Sequence, residues 1–411
     1  MSLLFAPRHS IKVGMVGGGG PSAFFGNAHR RAISLLETHR LFAGALRSKP
    51  EEAHAAGEEW DLEQVYGNHE AMAGDAQHVG LSYITIVTPN CSHFPVAKYA
   101  LQQGVPVFCE KPLTMTVEQA VELRDLARDK GIPFGVAHTY SGHYTMKVLR
   151  ILVEAGIFGA LRRRNAFYWQ DWQRVNLGIQ QEHRQDPTKS GVFNCNGDIN
   201  THNEWALRYV IGLLPTHVLC QTDVYGPDRV LDDDVNTLLW YPDGGSALSA
   251  ASQIANGHEN DHQIGIYGAL GGADWRQEDS GHLSVSLGDF PVADVRRGGI
   301  GRLVNLLQTD AVRKLCGDGP VDHFAYLIKS IAWACGLPTG HEEAFICALA
   351  HHHHEFGRWV HDWNEGCRKP LEAKNYDVPN AQDGLEGMEF LAACKKSVDE
   401  GNVKVEIARN K

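Results

Sequence analysis

The sequence predicts an α/β protein of two domains, a doubly wound parallel sheet followed by an α+β domain with a large open, mostly antiparallel sheet. Over the first 138 residues, short apolar runs alternate with stretches of helical spacing. Later runs of strand character follow one another and are joined by Gly, Pro and Asp turns. A chain of 411 residues with 43% hydrophobic residues is long and apolar enough for two cores. We expect the first domain to span 10–138 and the second 139–411.

The predicted strands of the first domain are short apolar runs that stop near Gly, Pro or Asn. They cover 11–16, 41–46, 83–87, 105–109 and 132–137. The predicted helices between them cover 26–37, 50–59, 93–103 and 117–128. Gly104 is a natural C-terminal cap for the third helix, and Thr116 with Gln119 forms a capping-box signature before the fourth.

In the second domain, helical spacing returns at 146–155, and 164–169, 235–240 and 246–254 are predicted strands. The stretch 381–400 is a clean amphipathic helix that ends at Gly401. We expect this helix to pack back on the first domain.

Composition excludes several classes of protein. A net charge of −11 argues against nucleic acid or an anionic membrane as a partner. No run reaches the roughly 18 apolar residues of a membrane span, and residues 1–10 lack the features of a signal peptide. The 9 cysteines are scattered without a C-x-x-C pair, as expected of reduced thiols. These observations predict a cytoplasmic protein.

A glycine-rich turn follows the first predicted strand. Gly17, Gly18, Gly19 and Gly20 lead through Phe25 to Gly26 at the head of a helix. Glycines let the backbone approach a dinucleotide pyrophosphate, and the helix N-terminus offers free N–H groups. The spacing is longer than G-x-G-x-x-G, and a plain flexible turn is the alternative interpretation. Its position after the first strand of a βαβ unit favours dinucleotide binding.

The end of the second strand is where dinucleotide-binding proteins contact the 2′ position of the ribose. Here the residues are Arg47, Ser48 and Lys49, and no acid follows until Glu51. Two cations and a hydroxyl attract a 2′-phosphate, so the loop favours NADP over NAD. An ordinary solvated loop is the alternative.

Polar residues also follow the next strands, at the edge where parallel strands end. Thr88, Pro89 and Asn90 precede His93, which opens a helix, although a capping role alone would explain Asn90 and His93. Glu110 and Lys111, followed by Pro112, come directly after the fifth strand. A lysine there faces the crevice, where its ammonium can hydrogen-bond a substrate oxygen and the nicotinamide side.

A second chemical motif is Asp198 with His202, which runs into an apolar helical stretch. Residues four apart share one face of a helical turn. A carboxylate and an imidazole are the groups that proton transfer between an alcohol and a carbonyl needs near neutral pH. In isolation, an N-capping Asp beside a surface His is the default interpretation.

Further residues are expected to line the pocket. Substrate contacts are predicted for groups after the last strand of the first domain, before Asp198, and beside His202: His138, Tyr140, Trp172, Arg184, Lys189 and Thr201. For the aromatic residues, including Tyr168 and Trp169, packing of the large sheet is the alternative.

Taken together, these residues closely resemble the glucose–fructose oxidoreductase/inositol dehydrogenase (Gfo/Idh/MocA) family over almost the whole chain. The motifs are Gly26-x-x-His29, Thr88-Pro89-Asn90-x-x-His93, Glu110-Lys111-Pro112, Asp198-x-x-x-His202 and the C-terminal tail from Ala381 to Gly401. Their order is that of the family. Two departures are the lengthened glycine turn and Asn200, where family members often carry Gly.

The resemblance implies a Rossmann domain and a second domain whose open sheet builds a homodimer or homotetramer. It implies that Lys111 orients cofactor and substrate and that the Lys111–Pro112 bond is cis. His202 would be the general acid/base on the reacting hydroxyl, and Asp198 would tune its charge and position.

A run of four histidines, 351–354, lies in a predicted helix over 342–362. Adjacent helical residues point in different directions, so the run cannot offer four ligands to one metal, and only His351 with Glu355 has ligand spacing. We therefore predict no metal.

The sequence thus predicts an NAD(P)-dependent oxidoreductase acting on a sugar, inositol or related cyclic polyol. Redox-assisted glycoside cleavage with tightly bound nucleotide is one alternative. A non-catalytic nucleotide-binding regulator is another, and the joint presence of Lys111, Asp198 and His202 argues against it.

Overall fold

The computed structural model describes residues 10–20, 23–174, 184–227, 229–290, 292–296, 300–328, 344–366 and 375–410. Its first sheet has six strands, all parallel. They are β1 (Ile11–Gly17), β2 (His39–Ala45), β3 (Gln64–Val65), β4 (Tyr83–Val87), β5 (Val107–Glu110) and β6 (Phe134–Ala137). The order β3-β2-β1-β4-β5-β6 reverses between β1 and β4. Dinucleotides bind outside the carboxyl ends of the strands at such a reversal.

Five helices accompany this sheet: α1 (Phe24–Ser34), α2 (Pro50–Glu59), α3 (His69–Val79), α4 (His93–Gln102) and α5 (Val117–Lys130). The five predicted strands and four predicted helices are all present, with ends displaced by up to three residues. The structure adds β3 and α3, which were not predicted. α3 buries only Met72, Ala73 and Ala76, so its apolar stripe is too weak to recognise. Its start is instead marked by Asn68, whose side chain accepts a hydrogen bond from the Ala71 amide.

The second half begins with three helices and one strand: α6 (Tyr144–Glu154), β7 (Leu161–Trp169), the short α7 (Pro187–Ser190) and, after a wide helical turn at Asn196–Asn200, α8 (Thr201–Ile211). Seven further strands follow: β8 (His217–Asp223), β9 (Asp234–Trp240), β10 (Ser246–Ser252), β11 (Asp261–Gly268), β12 (Gly271–Arg276), β13 (His282–Leu287) and β14 (Ala293–Arg296). The remaining elements are α9 (Ile300–Leu307), α10 (Asp310–Cys316), α11 (Asp318–Ile328), α12 (Phe345–Asn364), α13 (Ala381–Asp399) and β15 (Val405–Glu406).

The second sheet has nine strands in the order β14-β13-β12-β11-β7-β10-β9-β8-β15. Only β7 and β10 pair in parallel among these strands, which confirms the predicted large, mostly antiparallel sheet. Helix α8 packs against β7, β10 and α6, and nine of its residues are buried. The residues that follow β7 and β10 and the turn that precedes α8 therefore lie at one end of this sheet, facing the first sheet.

Two helices of the second half contact the first sheet. α13 starts at a capping box made by Asn380 and Asp383, and the Val136 amide of β6 donates to the Pro379 carbonyl at 2.8 Å. At its other end, Ser397 Oγ accepts from the Cys220 amide of β8 at 2.8 Å. α12 packs on α1, and its Phe356 and Val360 share an apolar core with Val13 and Ala32. In the described part of the chain, no helix is both long and apolar enough to cross a membrane.

Candidate active site

The glycine turn brings strand and helix backbones into direct contact. Gly17 and Gly18 have φ +76°, a left-handed conformation that favours glycine. A Cβ on Gly26 would lie 1.9 Å from the Gly18 carbonyl oxygen, so only glycine fits there. α1 starts after Ala23, which has no side-chain oxygen to cap the first amides. The turn therefore combines a bare backbone with an uncapped helix N-terminus, which fits a pyrophosphate despite its added length.

The ribose loop is less positively charged than its sequence suggests. Arg47 Nη2 and Lys49 Nζ each lie 2.9 Å from the carboxylate of Glu52, and Arg47 Nη1 also donates to the Gly19 carbonyl at 3.1 Å. Hydrogen bonds from Lys49 and Arg47 lower the pKa of Glu52. The two cations share one carboxylate, which lies one residue beyond Glu51, and the preference of this loop for a 2′-phosphate stays a prediction. Ser48 is exposed between them.

The loop after β4 is fixed by His93. Its buried ring bonds the Pro112 carbonyl through Nδ1 and the Thr88 carbonyl through Nε2, both at 2.9 Å. Each ring nitrogen thus faces a backbone carbonyl, and a contact of this imidazole with the cofactor stays a prediction. Burial lowers the pKa of His93, while the two carbonyls act in the opposite direction. Asn90 reaches across the crevice and donates to the Ser190 carbonyl at 2.9 Å, and Pro89 ends the loop's extended backbone.

Lys111 and Asp198 meet although they are 87 residues apart in sequence. Lys111 Nζ lies 2.9 Å from Asp198 Oδ1 and 2.5 Å from the Asp198 carbonyl. The other carboxylate oxygen pairs with Arg184 and accepts from Gln253 Nε2 at 2.9 Å. The Lys111–Pro112 bond is cis, as predicted.

The Asp198 side chain is therefore an anion, and both of its carboxylate oxygens have hydrogen-bond partners. Burial alone would raise its pKa, but Arg184 and Lys111 outweigh burial and hold the pKa of Asp198 well below its usual range. Its hydrogen bonds go to Lys111, Arg184 and Gln253, not to the His202 ring. Asp198 thus acts on Lys111 more directly than on His202.

His202 is buried beside other aromatic rings. Its ring centroid lies 4.8 Å from that of Tyr140 and 5.8 Å from that of His138. The Nδ1 atoms of His202 and His138 have no hydrogen-bond partner among the described residues. Burial, reinforced by the Lys111 ammonium, holds the pKa of His202 well below its usual range. Burial, then Arg208, does the same to the pKa of His138, which stacks on Trp205. Both imidazoles are therefore neutral at neutral pH.

A line of polar groups runs outward from His202. The Tyr140 and Tyr168 hydroxyls bond each other, and Tyr168 donates to Asn260 Oδ1 at 2.6 Å. Gln170 donates to the same oxygen and accepts from Trp172 Nε1 at 2.9 Å. Burial raises the pKa of Tyr140 to about 12, so this hydroxyl keeps its proton.

Two of the predicted substrate contacts, Thr201 and Lys189, have other partners in the structure. Thr201 is buried, and its hydroxyl donates to the Gly197 carbonyl at 3.0 Å, so it stabilises the turn before α8. Lys189 is exposed and pairs with Asp186 at 3.2 Å. Trp172 and Arg184 do lie together, with the guanidinium 5.7 Å from the indole centroid. Asn200 is buried and accepts from Ser249 Oγ of β10 at 2.7 Å, so its amide takes a structural role at the position of the family's Gly.

Sequence reasoning missed Gln253 and Asn260. Both are polar residues just beyond a strand end: Gln253 follows β10, and Asn260 precedes β11. This position beyond a strand end was the only feature of the sequence that could have indicated a role in the site. Gln253 is buried, and besides Asp198 it bonds Gln173 and Asn194, each at 2.8 Å.

The histidine run does not converge on one point. His351 Nδ1 bonds the Gly142 carbonyl at 2.6 Å, His352 Nε2 bonds Ser141 Oγ at 3.1 Å, and His353 Nε2 bonds His29 Nδ1 at 2.9 Å. The run thus fastens α12 to the first sheet and to the turn after β6. No group of three potential metal ligands occurs among the described residues.

Two family models match the chain. The NAD-binding Rossmann model of the Gfo/Idh/MocA oxidoreductases matches residues 11–138, and the C-terminal domain model of the same family matches 146–274. The chain belongs to the Gfo/Idh/MocA oxidoreductase family. The parallel first sheet and the large second sheet are its two domains' cores.

Of three similar proteins, two match nearly the whole chain and one matches about two thirds of it. The uncharacterised oxidoreductase YfiI of Bacillus subtilis is 25% identical over 96% of both chains. Levoglucosan dehydrogenase of Pseudarthrobacter phenanthrenivorans is 25% identical over 67% of this chain and 76% of its own. An inositol dehydrogenase homologue from Azotobacter vinelandii, solved with NAD⁺, superposes with a TM-score of 0.84 at 23% identity over 98% of both chains. The last comparison supports the fold.

Proposed function

We propose that this protein is an NAD(P)-dependent dehydrogenase or reductase that acts on a CH–OH group of a sugar, inositol or related cyclic polyol. The observation that carries the proposal is the neutral, buried imidazole of His202 in one crevice with the Lys111–Asp198 pair. A bound nicotinamide dinucleotide supplies or accepts the hydride. The residues suited to hold it are Gly17, Gly19, Gly20, Phe25 and Gly26 at the pyrophosphate, Arg47, Ser48 and Lys49 at the ribose, and Thr88, Pro89 and Asn90 in the crevice.

We propose that His202 exchanges the proton of the reacting hydroxyl. A neutral imidazole can take this proton as the carbinol becomes a carbonyl, and returns it in the reductive direction. Burial opposes a lasting charge on the ring, which favours passing the proton on rather than storing it.

Lys111 stabilises the negative charge that develops on the same substrate oxygen. Its ammonium is a compact charge with three donors; the Asp198 carboxylate and backbone carbonyl use two of them, at 2.9 Å and 2.5 Å, and the third is left for the substrate oxygen. Because Arg184 and Gln253 hold the other carboxylate oxygen, Asp198 cannot rotate away from Lys111. Asp198 is thus proposed to orient Lys111.

The polar line from Tyr140 to Trp172 supports a polyol substrate. Hydroxyls, amides and an indole face are the groups that recognise several hydroxyls on a ring. His138, with a ring nitrogen that has no described partner, is suited to a second substrate hydroxyl. The names of the similar proteins, levoglucosan dehydrogenase and an inositol dehydrogenase homologue, point to the same class.

We further propose that NADP is slightly favoured over NAD. Arg47 and Lys49 carry two positive charges against one on Glu52, so a 2′-phosphate still meets an excess cation. This excess is small because the shared carboxylate lies within hydrogen-bond distance of both.

The domain boundary near 138/139, a cytoplasmic location and a homodimer or homotetramer remain proposals. No disulfide bond joins the described cysteines to one another, in keeping with a reducing compartment. Along β9, buried Val235, Thr237 and Leu239 alternate with exposed Asn236 and Leu238, so one face of the second sheet is available to a second copy.

The test is turnover with a substrate panel. Purified protein with NAD⁺ or NADP⁺ is offered inositols, aldoses and levoglucosan, and reduced nicotinamide is followed by absorbance. We expect turnover with at least one member and none with the Lys111→Ala variant. Turnover that survives in Lys111→Ala would contradict the assignment, and binding of nucleotide without any turnover would favour the regulator.

A further inference from the structure

A chain of hydrogen bonds runs from the core of the first sheet to the backbone of Lys111. Tyr83 Oη lies 2.8 Å from His353 Nδ1, and His353 Nε2 lies 2.9 Å from His29 Nδ1. His29 Nε2 lies 2.8 Å from Glu110 Oε1, and Glu110 Oε2 accepts the Lys111 amide at 3.2 Å. The four side chains come from β4, α12, α1 and β5, so the chain joins the nucleotide-binding helix, the second half of the molecule and the catalytic loop.

This chain of hydrogen bonds is closed to solvent. Tyr83, His353 and His29 are completely buried, and Glu110 nearly so. Aromatic rings wall it: Phe108 lies 4.9 Å from His353 and 6.1 Å from His29, and Phe356 lies 5.1 Å from Tyr83, between ring centroids. The atom that carries each proton along these hydrogen bonds therefore depends on the four side chains themselves and not on solvent.

With Glu110 as a carboxylate, both imidazoles neutral and the Tyr83 hydroxyl protonated, only one direction makes all three hydrogen bonds between the side chains. A neutral imidazole donates once and accepts once, and an ionised carboxylate only accepts. Glu110 then accepts from His29 Nε2, His29 Nδ1 accepts from His353 Nε2, and His353 Nδ1 accepts from the Tyr83 hydroxyl. The reverse direction with the same number of protons needs a tyrosinate, and burial raises the pKa of Tyr83 well above its usual range.

We propose that Tyr83, His353 and His29 form a one-way chain of hydrogen bonds that ends on the Glu110 carboxylate and, through it, fixes the backbone of Lys111 in the crevice. Tyr83, at the far end, sets the tautomer of both imidazoles as Nε2–H. His29, His353 and Tyr83 are positioning residues for Lys111, and one histidine of the 351–354 run thereby acquires a role in the site.

This inference rests on the proposed function only where it names Lys111 as catalytic, because the chain itself can be tested without substrate. Protein labelled with ¹⁵N-histidine is studied by long-range ¹H–¹⁵N correlation at neutral pH, with His29 and His353 assigned by single substitution. We expect a protonated Nε2 and an unprotonated Nδ1 in both rings. A protonated Nδ1 in either ring would overturn the proposal.

The second measurement is the amide resonance of Lys111 in Tyr83→Phe and His353→Gln. Tyr83→Phe removes the terminal donor, so Glu110 is held less firmly and the Lys111 amide hydrogen bond should lengthen, which moves the amide proton upfield. His353→Gln keeps one acceptor and one donor and should move it less. Tyr66→Phe is the matched control, because Tyr66 loses a comparable bond, 2.7 Å to Asp75, that does not lead to Glu110.

Kinetics complete the test on the panel substrate with the highest turnover. Loss of one buried hydrogen bond is worth about 1 kcal/mol, so kcat of Tyr83→Phe should fall roughly two- to tenfold with nucleotide affinity unchanged. Equal kcat and an equal Lys111 amide shift in Tyr83→Phe and Tyr66→Phe would refute a positioning role. Absence of turnover in every protein would bear on the proposed function alone, since the tautomers are read without substrate.

Discussion

Acid should unfold this protein because several buried histidines cannot take up protons in the folded state. Burial is the first cause that lowers the pKa of His39, His143, His262 and His352, each to about 3. In the unfolded chain these groups return to about 6.5. The folded state then binds fewer protons at these histidines between the two values, so their contribution to stability is constant above pH 6.5 and falls as the pH decreases below it.

The magnitude follows from the pKa difference. pH 5 lies about 1.5 units below the pKa of an unfolded histidine. Protonation at this pH therefore stabilises the unfolded state by about 2 kcal/mol for each histidine. Four such groups act in the same direction, and the carboxyls of Asp232 and Asp383, whose pKa burial raises to about 7 and about 6, oppose them, so the net loss is smaller than the sum of four. We therefore expect the free energy of unfolding to drop sharply between pH 6.5 and pH 5.

His262 isolates one contribution. Its ring is completely buried, stacks on Tyr168 at 4.9 Å between centroids, and has no described partner for either nitrogen. His262→Phe keeps the stacked ring and removes the proton site. Urea unfolding followed by circular dichroism at pH 8 and pH 5 should show that the variant loses about 2 kcal/mol less than wild type between the two values.

The control is His54→Phe, the same chemical change at an exposed position of α2. It should lose as much stability as wild type between pH 8 and pH 5. An identical loss for His262→Phe and wild type would refute the reasoning, since it would show that burial of this imidazole does not oppose its protonation.

Four further outcomes are expected. Lys111→Ala should abolish turnover while circular dichroism stays that of wild type. His202→Ala should slow the chemical step roughly 10²–10⁴-fold in single-turnover measurements, and a loss below about tenfold would indicate another base. Arg47→Asp should lower affinity for NADP relative to NAD by calorimetry; an unchanged ratio would show that this loop does not read the 2′ position. Gly26→Ala should weaken binding of either nucleotide, because its Cβ would lie 1.9 Å from the Gly18 carbonyl oxygen, and unchanged affinity would contradict the placement of the pyrophosphate.

Much of the fold could be predicted because strands buried on both faces are continuous apolar runs. Val13, Ile86 and Val107 belong to such runs, and all lie in the first sheet as predicted. Helix α3 was not predicted because only three small or flexible side chains are buried along it. Helix ends were displaced because local signals such as Gly104 mark them only to within a few residues.

The candidate site was predictable where topology determines it. Lys111 and Thr88 follow neighbouring parallel strands, so their approach is a consequence of strand order. Contacts that depend on packing between the two halves were not predictable, such as Gln253 with Asp198 or His353 with His29. The pairing of Glu52 with Arg47 and Lys49 depends on how α2 begins, which spacing alone does not reveal.

The most direct test of the central claim is calorimetric binding of NAD⁺, NADH, NADP⁺ and NADPH to protein first freed of any nucleotide that co-purifies. The proposed function predicts saturable binding of at least one oxidised and reduced pair, lost or weakened in Gly26→Ala. Absence of binding for all four, in folded protein from which no nucleotide was released, would contradict the assignment of this chain as a nicotinamide-dependent enzyme.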